Sequence, residues 1–313
     1  MTATAVNLAP PAATASAELH ADWLELVAIG DGDRQASIED LISALRTTSS
    51  SEELPEERLV DRGSEQAQSI AESAMSLAEE RCQAVGRRGN YPFTFEGQAL
   101  VSSRTAARNT YVYLLLLSKY GEDAGPKDVN GASLFEDVAA VAVKNYLGGQ
   151  RAGAETYNFG FPRRIAPRGF EDAVRDLCSK LGEGIGPRSR PTTQSQKDAK
   201  LDLVAWVPMP DARSGKVIGF GQCATGNNWK EKVSELQSTA WCKLWLLDPL
   251  PVDPVRFFFI PHRITGSEWS QHTINAGVIF DRCRLAAYAS VLDRELRERV
   301  SAWSNYVINE RLR

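Results

Sequence analysis

Asp202, Gln222 and Lys232 are the residues of this chain whose types and spacing could act together. Leu201, Leu203, Ala205 and Val207 alternate with Asp202, Val204 and Trp206, the period-two pattern of a strand. Pro208 to Gly215 is rich in turn formers, and Val217, Ile218 and Phe220 carry a second strand towards Gln222 and Cys223. A hairpin loop centred near Ala212 sets Asp202 opposite Gln222, on one face, with Cβ atoms about 4.5–5.5 Å apart. Asn228, with Glu231 three residues on, has a capping-box spacing that predicts a helix start. Lys232 in the first turns of that helix can lean back over the same spot. A carboxylate and an amide oxygen at one place offer hard ligands to a cation, and an ammonium offers charge to an oxyanion.

This order of an acid, an acid or amide on the next strand, and a lysine resembles the PD-(D/E)XK nuclease superfamily, the restriction-endonuclease-like fold. Asp202 matches the motif aspartate and Gln222 its second position in the glutamine variant. Ala224 stands where the motif has lysine, so the resemblance implies a lysine displaced to the following helix, Lys232 or Lys230. The likeness covers roughly residues 165–285. It implies Mg2+-dependent hydrolysis of DNA phosphodiester bonds, with Asp202, the Gln222 side-chain oxygen and the Cys223 backbone carbonyl as metal ligands. It also implies a third acid from the helix before the hairpin. Glu171 in Gly-Phe-Glu-Asp matches that helix, and Glu136 in Leu-Phe-Glu-Asp competes with it. Restriction or defence against phage is the expected setting. The loss of lysine at 224 keeps open a non-catalytic member that binds nucleic acid or scaffolds a complex, and a purely protein-binding module is a third reading.

Charge limits how nucleic acid would be held. The formal net charge is −4, so the contact must be a local patch. Arg188, Arg190, Lys197 and Lys200 form one such patch, with Lys230 near it, and Arg163, Arg164 and Arg168 form another. Contacts of this kind position a duplex without reading it and leave DNA and RNA both open. Each group also has a plain structural reading: acids in a first helical turn favour the dipole, and basic loops are often merely solvated. His20, His262 and His272 pair with no cysteine at zinc-finger spacing. His262-Arg263 could meet phosphate or form an ordinary loop. Five cysteines without a CxxC pair suit a reducing cytoplasm, and nothing reads as a signal peptide or a membrane span.

The elements that must position the site follow from periodicity. Residues 1–20 read as a disordered tail, 21–150 as a mostly helical domain, and 151–313 as the restriction-endonuclease-like core. The helical domain is expected to dimerise or bind a protein partner. Helices are predicted over about 38–46, 55–85, 105–119, 134–147 and 170–181, with 149–168 as a surface connection. The helix after the hairpin carries Trp229, Val233, Leu236 and Ala240 on its apolar face. Val255 to Ile260 and Ala276 to Phe280 read as buried strands, and one helix closes the chain over 285–308. That order predicts an α/β fold with a mixed central sheet flanked by helices.

Overall fold

The computed structural model describes residues 6, 8–49, 59–86, 89–161, 167, 169–188 and 199–313. In chain order the elements begin with α1 (Ala17–Gly30), β1 (Gln35–Ser37), α2 (Ile38–Ser49) and α3 (Leu59–Ala84). They continue with β2 (Phe93–Glu96), β3 (Ala99–Ser102), α4 (Thr110–Tyr120), α5 (Gly131–Tyr146) and β4 (Glu155–Asn158). Then come α6 (Phe170–Leu181), β5 (Leu203–Trp206), β6 (Ile218–Cys223), α7 (Trp229–Lys232) and α8 (Ser238–Trp245). The chain ends with β7 (Val255–Phe259), α9 (Gly266–Ala276), β8 (Val278–Phe280), α10 (Arg282–Tyr288) and α11 (Arg294–Arg311). Two compact units result: Met1–Val129 with Arg297–Arg313, and Asn130–Leu296.

The first unit is helical around a small antiparallel sheet in the order β1-β3-β2. The apolar run Tyr111–Leu117 makes α4 a helix buried on every side. The expected disordered tail needs correcting: Ala17–His20 form the first turn of α1, and Leu8 O accepts the Trp23 indole N–H at 3.1 Å. Burying that indole gives the segment before the helix something to hold, which composition alone does not show.

The second unit is a three-layer α/β arrangement. Its sheet runs β4-β5-β6-β7-β8, with β4, β5 and β6 antiparallel and β6, β7 and β8 parallel. Alternation sorts the side chains to two faces. Val204, Trp206, Ile218 and Phe220 pack with Phe170, Val174 and Leu177 of α6 and with Trp241 and Cys242 of α8. Phe258 and Ile279 continue that face against Trp229, Val233 and Trp269. On the other face Tyr146 of α5 meets Phe257 at 6.2 Å and Phe280 at 5.3 Å, both edge-on. Each such side chain, fully buried, contributes roughly 1.5–3 kcal/mol. Gly219 and Gly221 are imposed by these rings: a Cβ on them would come within 1.9 Å of Phe257 and 2.6 Å of Phe259.

Three boundaries differ from the periodicity reading. The division falls at 129/130 and not at 150/151, because α5 packs on β4, β5 and β6. The segment 149–168, expected as a surface connection, contains the edge strand β4, paired antiparallel with β5. The closing helix is two helices, α10 and α11, and the end of the chain belongs to the first unit. Among the described residues no helix is long and apolar enough to cross a membrane.

Candidate functional site

The hairpin sets the geometry. Leu203 opposes Gly221 and Val204 opposes Phe220, so the register carries Asp202 to a place across from Gln222. Asp202 stands one residue before β5 and ties three segments together. Its N–H reaches Gly221 O at 2.9 Å, and its carbonyl accepts from Phe159 N–H at 2.8 Å and Gly160 N–H at 2.9 Å. Its carboxylate Oδ2 accepts the Cys223 N–H at 2.7 Å. One acid therefore pins the end of β4, the entry of β5 and the end of β6.

Gln222 is 4% exposed, and its amide is oriented by its neighbour. Glu235 Oε2 lies 2.8 Å from Gln222 Nε2. A carboxylate only accepts, so the NH2 must face Glu235 and the oxygen must face away. That oxygen, Oε1, is buried without a hydrogen-bond partner among the described residues. A buried acceptor left unmade costs roughly 1–3 kcal/mol, so a donor or cation there would be welcome. The same Glu235 Oε2 is 3.3 Å from Lys200 Nζ.

Acids gather on the α5 side. Burial pushes the Cys223 thiol well above its ordinary range, and the charges of Asp202, Glu136 and Asp137 push it further. Glu136 lies against Gly160, where a Cβ would sit 2.9 Å from both carboxylate oxygens. Asp137 Oδ1 accepts from Asn158 Nδ2 at 3.0 Å. The first turns of α5 thus deliver two acids to the edge that Asp202 occupies. Glu171 is exposed in the first turn of α6, with no hydrogen bond or ion pair among the described residues. Glu136, and not Glu171, acts together with Asp202 on the Cys223 thiol.

The cations are placed less simply. The helix expected from Asn228 onwards is a single turn, α7, followed by a break before α8, and Asn228 makes no side-chain cap. Lys232 ends that turn half-buried, its side chain without a hydrogen bond or ion pair among the described residues. Lys230 is engaged elsewhere, 2.9 Å from Glu268 and 5.7 Å above the Trp229 ring. That bond is the main cause of the lowered Glu268 pKa. Arg188, read as a phosphate contact, is instead spent on the end of α8: Nε donates to Leu246 O at 3.1 Å. Arg190 and Lys197, like Arg163, Arg164 and Arg168, lie outside the described residues. His262 Nε2 is 3.3 Å from Thr225 O, and Arg263 pairs with buried Asp281, so that dipeptide is tied into the sheet's end. Ala224 is 1% exposed in an apolar cluster, which leaves no room for a motif lysine to work from that position.

Asp202 and Gln222 put hard oxygen donors at one end of the β5-β6 hairpin. Among the described residues no three His, Cys, Asp or Glu side chains form a ready metal cage. Magnesium tolerates that, because it keeps several waters and needs only one or two carboxylates. The sequence reading singled out neither Glu235, which no strand or motif spacing marks, nor Asp137, which stands beside Glu136 in Leu-Phe-Glu-Asp. No protein-family model matches this chain, and no curated protein or solved structure matches it.

Proposed function

We propose that this protein is a metal-dependent nuclease that hydrolyses DNA phosphodiester bonds, with a restriction-endonuclease-like core. The observation that supports it most is the end of the β5-β6 hairpin, where Asp202 stands across from Gln222 while α5 sets Glu136 against Gly160. The order of elements supports it in part: α6 intervenes between β4 and β5, and an antiparallel β5-β6 hairpin, a helical crossover and a parallel β7 follow. Asp202 and Gln222 Oε1 are the residues that would hold Mg2+, which when bound polarises a phosphoryl oxygen and lowers the pKa of a water. Glu136 adds negative charge beside them, and Cys223 stays a protonated thiol between the acids. Restriction or defence against phage is the setting that the resemblance suggests.

The buried Ala224 favours a second reading, a non-catalytic nucleic-acid binder of the same fold. Plasmid, linear DNA and RNA incubated with pure protein, with Mg2+ or with EDTA, separate the two. Cleavage that needs Mg2+ and disappears in folded Asp202→Asn supports the nuclease. Salt-sensitive binding without cleavage supports the second reading, and wild-type cleavage by Asp202→Asn removes the site proposed here.

A further inference from the structure

A site of this kind needs a positive charge, and the motif position that should supply it is an alanine inside an apolar cluster. The structure assigns that charge to Lys200, held by Glu235, an inference that rests on the nuclease reading. Lys200 precedes Asp202 by two residues on the same strand entry. Ala199 and Lys200 are consecutive left-handed residues, with φ of 54° and 68°. Neither is glycine, so the entry to the strand is a strained turn. Glu235 reaches this turn. One oxygen, Oε2, stands 3.3 Å from Lys200 Nζ and 2.8 Å from Gln222 Nε2.

The two contacts have one consequence. Gln222 is buried and Lys200 is 57% exposed, so Glu235 joins an inward ligand to an outward cation. Turning the Gln222 amide towards Glu235 aims Oε1 away from it, with no donor to meet among the described residues. Holding Lys200 keeps an ammonium at the entry of β5, two residues before Asp202 in the chain, where a substrate phosphate can take it over from the carboxylate. Lys230 is paired to Glu268 of α9. Lys200 is thus the phosphate-contacting cation, and Glu235 is a positioning residue that acts through Gln222 and Lys200.

The test compares Lys200→Met, Lys200→Arg, Glu235→Ala, Glu235→Gln and Lys243→Met, an exposed lysine of α8, in single-turnover cleavage of saturating linear DNA. Calorimetric Mn2+ titration without DNA provides a second readout. Lys200→Met should slow cleavage roughly a hundred- to thousandfold with Mn2+ affinity and thermal midpoint unchanged. Lys200→Arg should recover most of the rate, and Lys243→Met should match wild type. Glu235→Ala should weaken Mn2+ binding, because Gln222 loses its orientation. Glu235→Gln keeps an oxygen for Gln222 Nε2 and should keep that affinity. Unchanged cleavage in Lys200→Met, or its loss in Lys232→Met alone, overturns the assignment while the nuclease reading stands. Equal Mn2+ affinity in Glu235→Ala and wild type overturns the role of Glu235. Absent cleavage by wild type, or full cleavage by Asp202→Asn, overturns the nuclease reading and this inference with it.

Discussion

At the scale of single residues, Asp202 has two tasks that substitution can separate. Its Oδ2 takes the Cys223 N–H, so removing it leaves a half-buried donor unpaired. Asp202→Ala should therefore lose roughly 1–3 kcal/mol in urea unfolding as well as activity. Asp202→Asn keeps an oxygen for that N–H, and its unfolding midpoint should stay closer to wild type while cleavage is lost. Equal midpoints for the two variants would show that the Cys223 contact carries no stability. The acids of α5 and α6 make a second comparison. Glu136→Gln should reduce Mg2+-dependent cleavage at least tenfold, because its carboxylate lies against Gly160 beside Asp202. Glu171→Gln, at an exposed position without a partner among the described residues, should cleave at the wild-type rate. The opposite ranking would restore the helix before the hairpin as the source of the third acid.

At the scale of elements, the hairpin is held in place by what flanks β6. Lys216 Nζ meets Glu183 Oε1 at 2.8 Å and Leu181 O at 2.6 Å, joining the start of β6 to the end of α6. The side chains of this pair are 5% and 2% exposed, so it fixes position more surely than it adds net stability. Along β6 the glycines let the Phe257 and Phe259 rings lie on the backbone. Gly219→Ala puts a methyl into the Phe257 ring and should cost about 1–3 kcal/mol, with lost activity following the displaced strand. Phe257→Leu alone should also destabilise, but in the Gly219→Ala background it should restore part of the loss. An additive double-mutant cycle in urea unfolding would show that the ring and the methyl do not meet.

At the scale of the whole molecule, each unit has its own core. The first unit depends on the end of the chain. Trp303 of α11 is fully buried, its ring edge-on to Tyr113 at 5.2 Å and its indole where a Cβ on Gly125 would sit 2.0 Å away. Trp303→Ala should cost about 3–5 kcal/mol, read as a lower unfolding midpoint of that unit. The same unit holds a pH dependence. Burial lowers the pKa of His20 from 6.5, against weaker opposing bonds to the Ser16 and Ala12 backbones. Below pH 6.5 the unfolded chain then binds the proton more readily than the folded one. This contribution to stability is present above pH 6.5 and is lost as pH falls from there to the lowered folded value. His20→Leu should flatten that part of the urea midpoint profile, and an unchanged slope would place its origin elsewhere.

What the sequence determined by itself is local and periodic. Period-two alternation located β5 and β6, turn chemistry centred their loop, and the two together placed Asp202 across from Gln222. The 3.6-residue pattern gave α6 its bounds, and the apolar run gave α4 its burial. The mixed sheet flanked by helices was legible for the same reason. What escaped depends on contacts between distant residues. Strand β4 carries Glu155, Thr156 and Asn158 around one buried tyrosine, a pattern too weak to read until β5 pairs with it. Glu136 and Glu171 sit in nearly the same four-residue motif, and only packing sets Glu136 against Gly160. Lys200 and Glu235, thirty-five residues apart, meet only because strand, hairpin and helix return the chain to one edge of the sheet. Periodicity sorts residues to a face of their own element, but only packing decides which element that face meets.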